Sequence, residues 1–360
     1  MKITPLLYKS TFTPNTDTIA IGSLPDALSC KVTEERNGEY YLEMTYPAMG
    51  MNANLLQVGL IITARPNIDH GAEPFRIATI EKHLDGTMNI TAYHISYDLG
   101  NVVVMPFSAT SLTDALTGFV SNGTPANSFT FRRMNAGGYA NFAVTAPKSL
   151  RSCLMGSEGS VVDTWPIEYD FRGWTVFLYT NRGSQKNITI AYGKNLSSFT
   201  ETDELGAYDA VVPYAVVNDT TYYITDTAVC ATAPVVQSST SYGYPKTIVV
   251  DFSDRFTDTA PTDQQLYDLA TAYISGHSTA STANMATSFV DLQKLLGSVE
   301  DINLCDTIYL SVAPYNIEGI KLKVVRTVYD CLLDEYESIQ VGDKKVTLAD
   351  TLATLIGETS

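Results

Sequence analysis

The eight residues AYHISYDL, Ala92–Leu99, place His94, Ser96 and Asp98 within five positions. These are the side-chain types that a hydrolase uses as general base, nucleophile and orienting acid. In an extended strand all three fall on one face, with Tyr93, Ile95 and Tyr97 on the other. Neighbours two apart on such a face are about 7 Å apart at Cα. A working base must reach both of its partners by hydrogen bonds, and those partners usually come from separate elements. The stretch is therefore read as polar residues on the outer face of a strand, with Asp98 capping the turn that follows.

The other candidates thin out in the same way. Asp69, His70 and Glu73 share the loop NIDHGAEP, but no further ligand stands nearby at metal-site spacing. His83 beside Asp85-Gly86, and His277 in a Ser/Thr-rich connector, are expected in solvent. H-E-x-x-H, G-x-S-x-G and a phosphate-binding glycine loop are absent, since YGKNL at Tyr192 lacks the upstream glycine. The acidic runs TETDEL (Thr200 to Leu205) and DEYE (Asp334 to Glu337) lack the ligand alternation, central glycine and terminal glutamate of a calcium loop. They read as solvated turns. No catalytic, cofactor-binding or metal-ligating residue is assigned, and no cofactor is expected.

A chain of 360 residues exceeds one ordinary core, so two to four domains are expected. Charged residues make up 17%, low against the roughly 25% of soluble domains, and Tyr (22) outnumbers Phe (13) and Trp (2). With abundant Thr and Ser, this composition suits half-buried strands. The net charge of -16 argues against affinity for nucleic acid, which Lys and Arg supply by neutralising phosphates, although an acidic wall suits a path that DNA traverses without sticking. Lys321, Lys323, Arg326, Lys344 and Lys345 form a basic group in this acidic chain, either one side of a subunit contact or an exposed strand face. Cys30, Cys153, Cys230, Cys305 and Cys331 are odd in number and far apart, and are expected as reduced, semi-buried thiols. The N-terminus has no apolar run long enough for a signal peptide and no segment is long enough to span a membrane, so synthesis in the cytosol is expected.

The elements that must position these residues are mostly strands. LSCKVTEERNGEYYLEMTY alternates around Asn37-Gly38 as a hairpin, with Leu42, Met44 and Tyr46 on one face. LIITARP, PFRIATIEKHL and, after Asp85-Gly86, MNITAYHISYDL complete about six antiparallel strands in the first hundred residues. SLTDALTGFVSNG predicts a helix with Ser111 and Asp114 as capping box, Leu112, Ala115, Leu116 and Phe119 on one face, and Gly123 as stop. SLRSCLMG reads as a second short helix, and residues 164–193 as a three-stranded meander with Arg172-Gly173 at its first turn. Strands return from Ala207 to Phe252, interrupted by a helix over PTDQQLYDLATAYIS that Thr262 and Gln265 cap. INLCDTIYLSVAPY, GIKLKVVRTVYD and EYESIQVG are further strands, and TLADTLATLIG an amphipathic helix. The succession VGLIITARP, FRIATIEK, MNITAYHI matches CDTIYLSVAP, IKLKVVRT, EYESIQVG in strand order and loop length, as an internal duplication would.

VTEERNGEYYLEMTYP, EPFRIATIEK, AYHISYDL, GSEGSVVDTWPIEYDF, NRGSQKNITIAYGKNL, INLCDTIYL and LDEYESIQVGDKKVTLADTL follow one another in the order seen in phage and prophage tail proteins. The chain resembles, over nearly its whole length, the N-terminal region of tail-associated lysins of siphophages, often labelled prophage tail endopeptidase. The resemblance implies a mainly β (α+β) baseplate-hub-like fold of two β-barrel-like domains with intervening α/β domains. The corresponding boundaries are a first β-barrel-like domain over 1–105, an α/β inserted domain over 106–206, a second β-barrel-like domain over 207–345 with a helical insertion near 262–275, and a C-terminal helix over 346–360. It further implies a homotrimer at the distal end of the tail, made in the bacterial host cytoplasm. Its partners would be the distal tail protein, the tail tube and receptor-binding or lytic modules, with DNA passing through. AYHISYDL is then a strand end leading into the inserted domain. In long relatives lytic activity resembles a separate C-terminal module, and this chain stops at Ser360 with no matching catalytic motif. The alternative is a tail-associated peptidase or cell-wall hydrolase.

Overall fold

Asn37 takes the left-handed conformation (φ 50°) that a tight hairpin turn needs. The alternation on either side of it becomes β3 (Ser29–Glu35) and β4 (Tyr40–Pro47), following the short strands β1 (Leu6–Tyr8) and β2 (Gly22–Ser23). Cys30, Val32 and Glu34 lie opposite Met44, Leu42 and Tyr40 in the antiparallel ladder, and all six are buried. β5 (Ile61–Ala64), β6 (Glu73–Lys82) and β7 (Thr87–His94) form an antiparallel meander, with Gly86 at φ 81° in its last turn. The computed structural model describes residues 4–12, 19–157, 159–194, 196–204, 209–237, 246–256, 259–277, 282–289 and 302–342. Lys344, Lys345 and the helix expected over 346–360 lie outside these residues.

The next segment mixes short strands and helices: β8 (Val103–Val104), β9 (Phe107–Ser111), α1 (Leu112–Asn122), β10 (Gly123–Thr124), β11 (Thr130–Arg133), β12 (Tyr139–Val144), β13 (Lys148–Ser149), α2 (Leu150–Leu154) and α3 (Val161–Thr164). The Ser111 hydroxyl accepts the Asp114 amide at 3.2 Å, and Leu112, Ala115, Leu116 and Phe119 are buried, as the capping box and helical spacing predict. β14 (Glu168–Arg172) and β15 (Thr175–Tyr179) form the expected hairpin around Gly173, φ 52°, and β11 adds to β15 in parallel. The third strand of the expected meander does not join them. β16 (Gln185–Ala191) pairs instead with a strand near the far end of the chain. Gly183 permits this departure, because its backbone passes so close to Cys305 that a Cβ would stand 2.0 Å from the Cys305 carbonyl oxygen.

The chain continues through β17 (Leu196–Glu204), β18 (Ala210–Val217), β19 (Thr220–Tyr223), β20 (Val236–Gln237), β21 (Thr247–Asp251), α4 (Asp263–His277), β22 (Thr282–Phe289), β23 (Thr307–Val312), β24 (Ile317–Asp330) and β25 (Glu335–Gly342). It divides into two units, one of Met1–Thr200 with Met285–Ser360, the other of Glu201–Asn284. The region read from sequence as a second β domain is thus shared between them. In the smaller unit β18 is flanked by β19, β20 and β21, and α4 packs on the sheet through Leu266, Ala270 and Ile274. Thr262 and Gln265 cap α4 reciprocally, the hydroxyl taking the Gln265 amide at 3.3 Å and the Gln265 side chain taking the Thr262 amide at 2.9 Å.

In the larger unit both β regions enter one sheet, which runs β25-β24-β3-β4-β7-β6-β5-β1-β2. No sheet closes into a barrel among the described residues. The edge of β3 that would have to close on its own region is taken by β24, from Arg326 opposite Glu35 to Asp330 opposite Lys31. β5-β6-β7 and β23-β24-β25 are both antiparallel meanders, matching the repeat read from sequence. They differ in use: β24 pairs with β23 over its first half and with β3 and β25 over its second. One continuous core runs beneath the strands and the inserted segment, from Leu7 through Leu178 and on to Tyr329–Leu332.

Candidate functional site

The His94, Ser96 and Asp98 side chains part company because β7 ends at His94 and residues Ile95–Asn101 turn as a 3-10 helix. His94 and Ser96 are fully buried rather than on an outer strand face, which corrects the sequence reading. The imidazole lies 4.2 Å from the Tyr40 ring, stacked on it, and 5.5 Å from Phe75. Its Nδ1 accepts the Ser96 amide at 3.2 Å, which leaves the ring proton on Nε2, 3.4 Å from Glu73 Oε2. Histidine therefore caps the turn that aspartate was expected to cap, and the Ser96 hydroxyl has no hydrogen-bond partner. Asp98 instead receives Arg76 through both Nε and Nη2 (3.1 and 2.7 Å). A serine whose neighbouring base is occupied by its own backbone amide is not an activated nucleophile.

Glu73 leads to a larger polar cluster. Its Oε2 accepts the Gly173 amide at 2.6 Å, so the β14–β15 turn is held to the start of β6. His70, in the same loop, is buried with Nε2 3.5 Å from Asp170, while Asp69 is exposed and accepts Asn303 at 2.6 Å. Arg182 stands at the centre: Nη1 donates to Glu34 (2.8 Å) and to the Tyr169 carbonyl (3.1 Å), and Nη2 lies 3.1 Å from Asp170. Arg172 also reaches Asp170, at 2.7 Å. Glu168 accepts the Arg182 amide at 2.7 Å and the Lys323 ammonium. Asp306 takes the Ser184 amide at 2.7 Å. Asn37 adds a further tie, donating to the Ile167 carbonyl at 2.7 Å and accepting the Tyr169 amide at 2.9 Å.

Electrostatics keep Asp170 and Arg182 ionised. Burial alone would raise the Asp170 carboxyl, but Arg182, His70 and Arg172 outweigh it and hold it below the usual carboxylate range. Burial likewise works against charge on Arg182, and Glu34 and Asp170 more than offset it, raising its pKa. The Cys305 thiol beside them is pushed up to about 12, chiefly by burial, so it is not a thiolate nucleophile. Tyr40 is pushed up by burial and then by Glu34 and Glu73. A polar cleft of about 190 Å³ opens here between His70, Arg172, Lys186, Asn303 and Asp306. No group of three or more His, Cys, Asp or Glu among the described residues could hold a metal ion. Arg182, Arg172 and Lys323 each stand beside a buried carboxylate, so the cluster is a joint between β3, the β14–β15 hairpin and the loop before β23.

Other expectations fall out as follows. His83 is exposed; the side chain of His277 is outside the described residues. Of the basic group, Lys323 is engaged with Glu168 and with Asn181 at 2.7 Å, Arg326 donates to the Tyr41 hydroxyl at 3.4 Å, and Lys321 reaches Gln185 at 3.4 Å. All five cysteines are free and buried. In DEYE, Asp334 at φ 61° receives Arg65 at 3.0 Å and Tyr329 at 2.7 Å, and Glu337 pairs with Lys31 at 2.5 Å. No helix among the described residues is long and apolar enough to cross a membrane. Sequence reasoning missed Arg182, Asp170 and Glu34. The available signal was Glu34, a charged residue at the inward position of a strand whose other inward residues are Cys30 and Val32.

The same fold recurs in three solved structures. The prophage tail protein gp18 from Listeria monocytogenes EGD-e is 11% identical, with a TM-score of 0.55 over 99% of each chain. The tail protein from Neisseria meningitidis MC58 is 8% identical, with a TM-score of 0.56 over 95% of this chain and 96% of its own. The 43 kDa tail protein of prophage MuSo2 from Shewanella oneidensis is 8% identical, with a TM-score of 0.59 over 95% of this chain and 98% of its own. The chain shares its fold with these tail proteins over 95–99% of its length. No family model and no curated protein matches it.

Proposed function

We propose that the chain is a structural component of a phage tail tip, a baseplate hub that joins the tail tube to distal host-recognition or lytic parts and lets DNA pass. The observation that carries this reading is the likeness to three tail proteins over 95–99% of this chain. The ordered motifs of the sequence add the relation to tail-associated lysins, and with it three copies arranged head to tail as a ring. The clustered ion pairs support a rigid part: they tie β3, the β14–β15 hairpin and the start of β23 together through groups that cost several kcal/mol to unpair. The net charge of -16 suits a wall past which a polyanion must move, because few cations are left to exchange for its counterions. The protein would then reside at the distal end of the virion tail. Immunogold labelling of intact tails tests the reading, with gold expected at the tip; label along the tube or in the head contradicts it. A cell-wall zymogram of the purified protein is expected to show no clearing, and clearing would favour the hydrolase alternative.

A further inference from the structure

We propose that Cys30 and Cys331 are a latent disulfide site, a pair of thiols that a small-molecule disulfide can convert into a cross-link between the two ends of the chain. The inference is independent of the function proposed above. Cys30 lies on the inward face of β3 and Cys331 opens the turn after β24; both are buried in the same core. The ladder from Glu35–Arg326 to Lys31–Asp330 extends by one more step, since the Cys331 amide donates to the Cys30 carbonyl at 2.9 Å. A hydrogen-bonded antiparallel pair has its Cα atoms about 5.5 Å apart with both side chains on one face. That separation falls within the roughly 4.4–6.8 Å between Cα atoms that a disulfide accepts. The Cys331 thiol donates to the Tyr329 carbonyl at 3.8 Å, and it is pushed up first by the neighbouring Cys30 thiol and then by burial. The other cysteines sit elsewhere, Cys153 on α2, Cys230 in the smaller unit and Cys305 before β23.

The same burial keeps the pair reduced until the neighbouring turn opens. Residues 331–334 form that turn, which carries the exposed Leu333 at its surface. Once reached, one cysteine gives up its proton and its thiolate attacks a sulfur of the reagent, forming a mixed disulfide and expelling one thiolate, which takes up that proton. The second cysteine, deprotonated in turn, attacks the protein sulfur of the mixed disulfide. The Cys30–Cys331 bond forms and the second small thiol leaves. The protein loses two protons and two electrons, and the reagent gains them as two thiols. The cross-link closes a loop of about 300 residues, and longer loops restrict the unfolded chain more.

The test treats the full chain with excess hydroxyethyl disulfide, quenches with acid, alkylates remaining thiols in denaturant and maps peptides without reduction. A Cys30–Cys331 cross-linked peptide is expected, together with a thermal midpoint raised by roughly 5–15 °C and restored by reductant. The Cys331→Ser variant is expected to lose both effects, and Cys153→Ser to keep both. Because the peptide map is made on the unaltered protein, it stands even where a variant folds poorly. Free thiols or separate mixed disulfides at Cys30 and Cys331 would overturn the proposal. So would a cross-link that leaves the midpoint unchanged or lowers it, because the site would then be strained rather than poised.

Discussion

The interiors of the two units are built on different terms. In the larger one, buried charges meet opposite charges: Arg182 pairs with Glu34, 148 positions away in sequence, and with Asp170. In the smaller one the core is apolar, with Val211, Ala215, Ile248, Leu266 and Ala270 in contact. Its carboxylates take backbone amides instead, Asp263 those of Thr225 and Asp226 (2.8 and 2.6 Å) and Asp209 that of Lys246 (2.5 Å). The contrast teaches what each kind of contact decides. Apolar burial supplies driving force without saying which strand lies beside which, whereas a buried guanidinium is tolerable only where its own carboxylates arrive. The larger unit must bring together Glu34 of β3, Asp170 of β14 in a separate sheet and Arg182 of the loop before β16, and the ionic cluster penalises every arrangement that separates them.

The most damaging way to break this comparison is Arg182→Met. It leaves Glu34 and Asp170 buried without their shared cation, and a loss of about 3–5 kcal/mol is expected. Hydrogen exchange should show protection falling in β3, β14 and β15 while α4 keeps its own. Equal loss in α4 would show that the units are not energetically distinct. Leu266→Ala is the converse probe, expected to cost about 2–5 kcal/mol through the cavity it leaves under α4, with protection lost in 263–277 and kept in β14. Thr262→Ala removes the α4 cap and is expected to cost about 1 kcal/mol, read as a lower urea midpoint.

Much of the fold was legible beforehand because local rules govern it. Asn37-Gly38, Asp85-Gly86 and Arg172-Gly173 turn where expected, and both capping boxes begin their helices. The errors in strand pairing are non-local. Nothing in QKNITIA says that β16 leaves its neighbour for β23, and nothing in SCKVTEE says that the second edge of β3 will be taken by β24. The site was harder still. AYHISYDL drew attention because its polar residues are close in sequence, yet Glu73 and Tyr40 determine what His94 does. The residues that form the joint are scattered singly through apolar strands, and only Glu34 breaks a pattern visibly.

The finest effect expected is one of slope. Asp170 has a carboxyl held below its unfolded value by Arg182, His70 and Arg172 despite its burial. Its contribution is therefore fully present above the unfolded pKa of about 3.9 and is lost as pH falls through the lower folded value. Urea midpoints followed from pH 5 downward should fall more steeply for the unaltered protein than for Asp170→Asn. Parallel curves would show that this carboxylate is not linked to folding.

The central claim, a structural hub at the tail tip, is tested most directly by cryo-electron microscopy of whole tails. The account predicts three copies of this chain in a ring at the distal end, continuous with the tube and with a neutral to acidic inner wall. A different copy number at the tip, or a ring whose inner wall is lined by Lys321, Lys323 and Arg326, would contradict it.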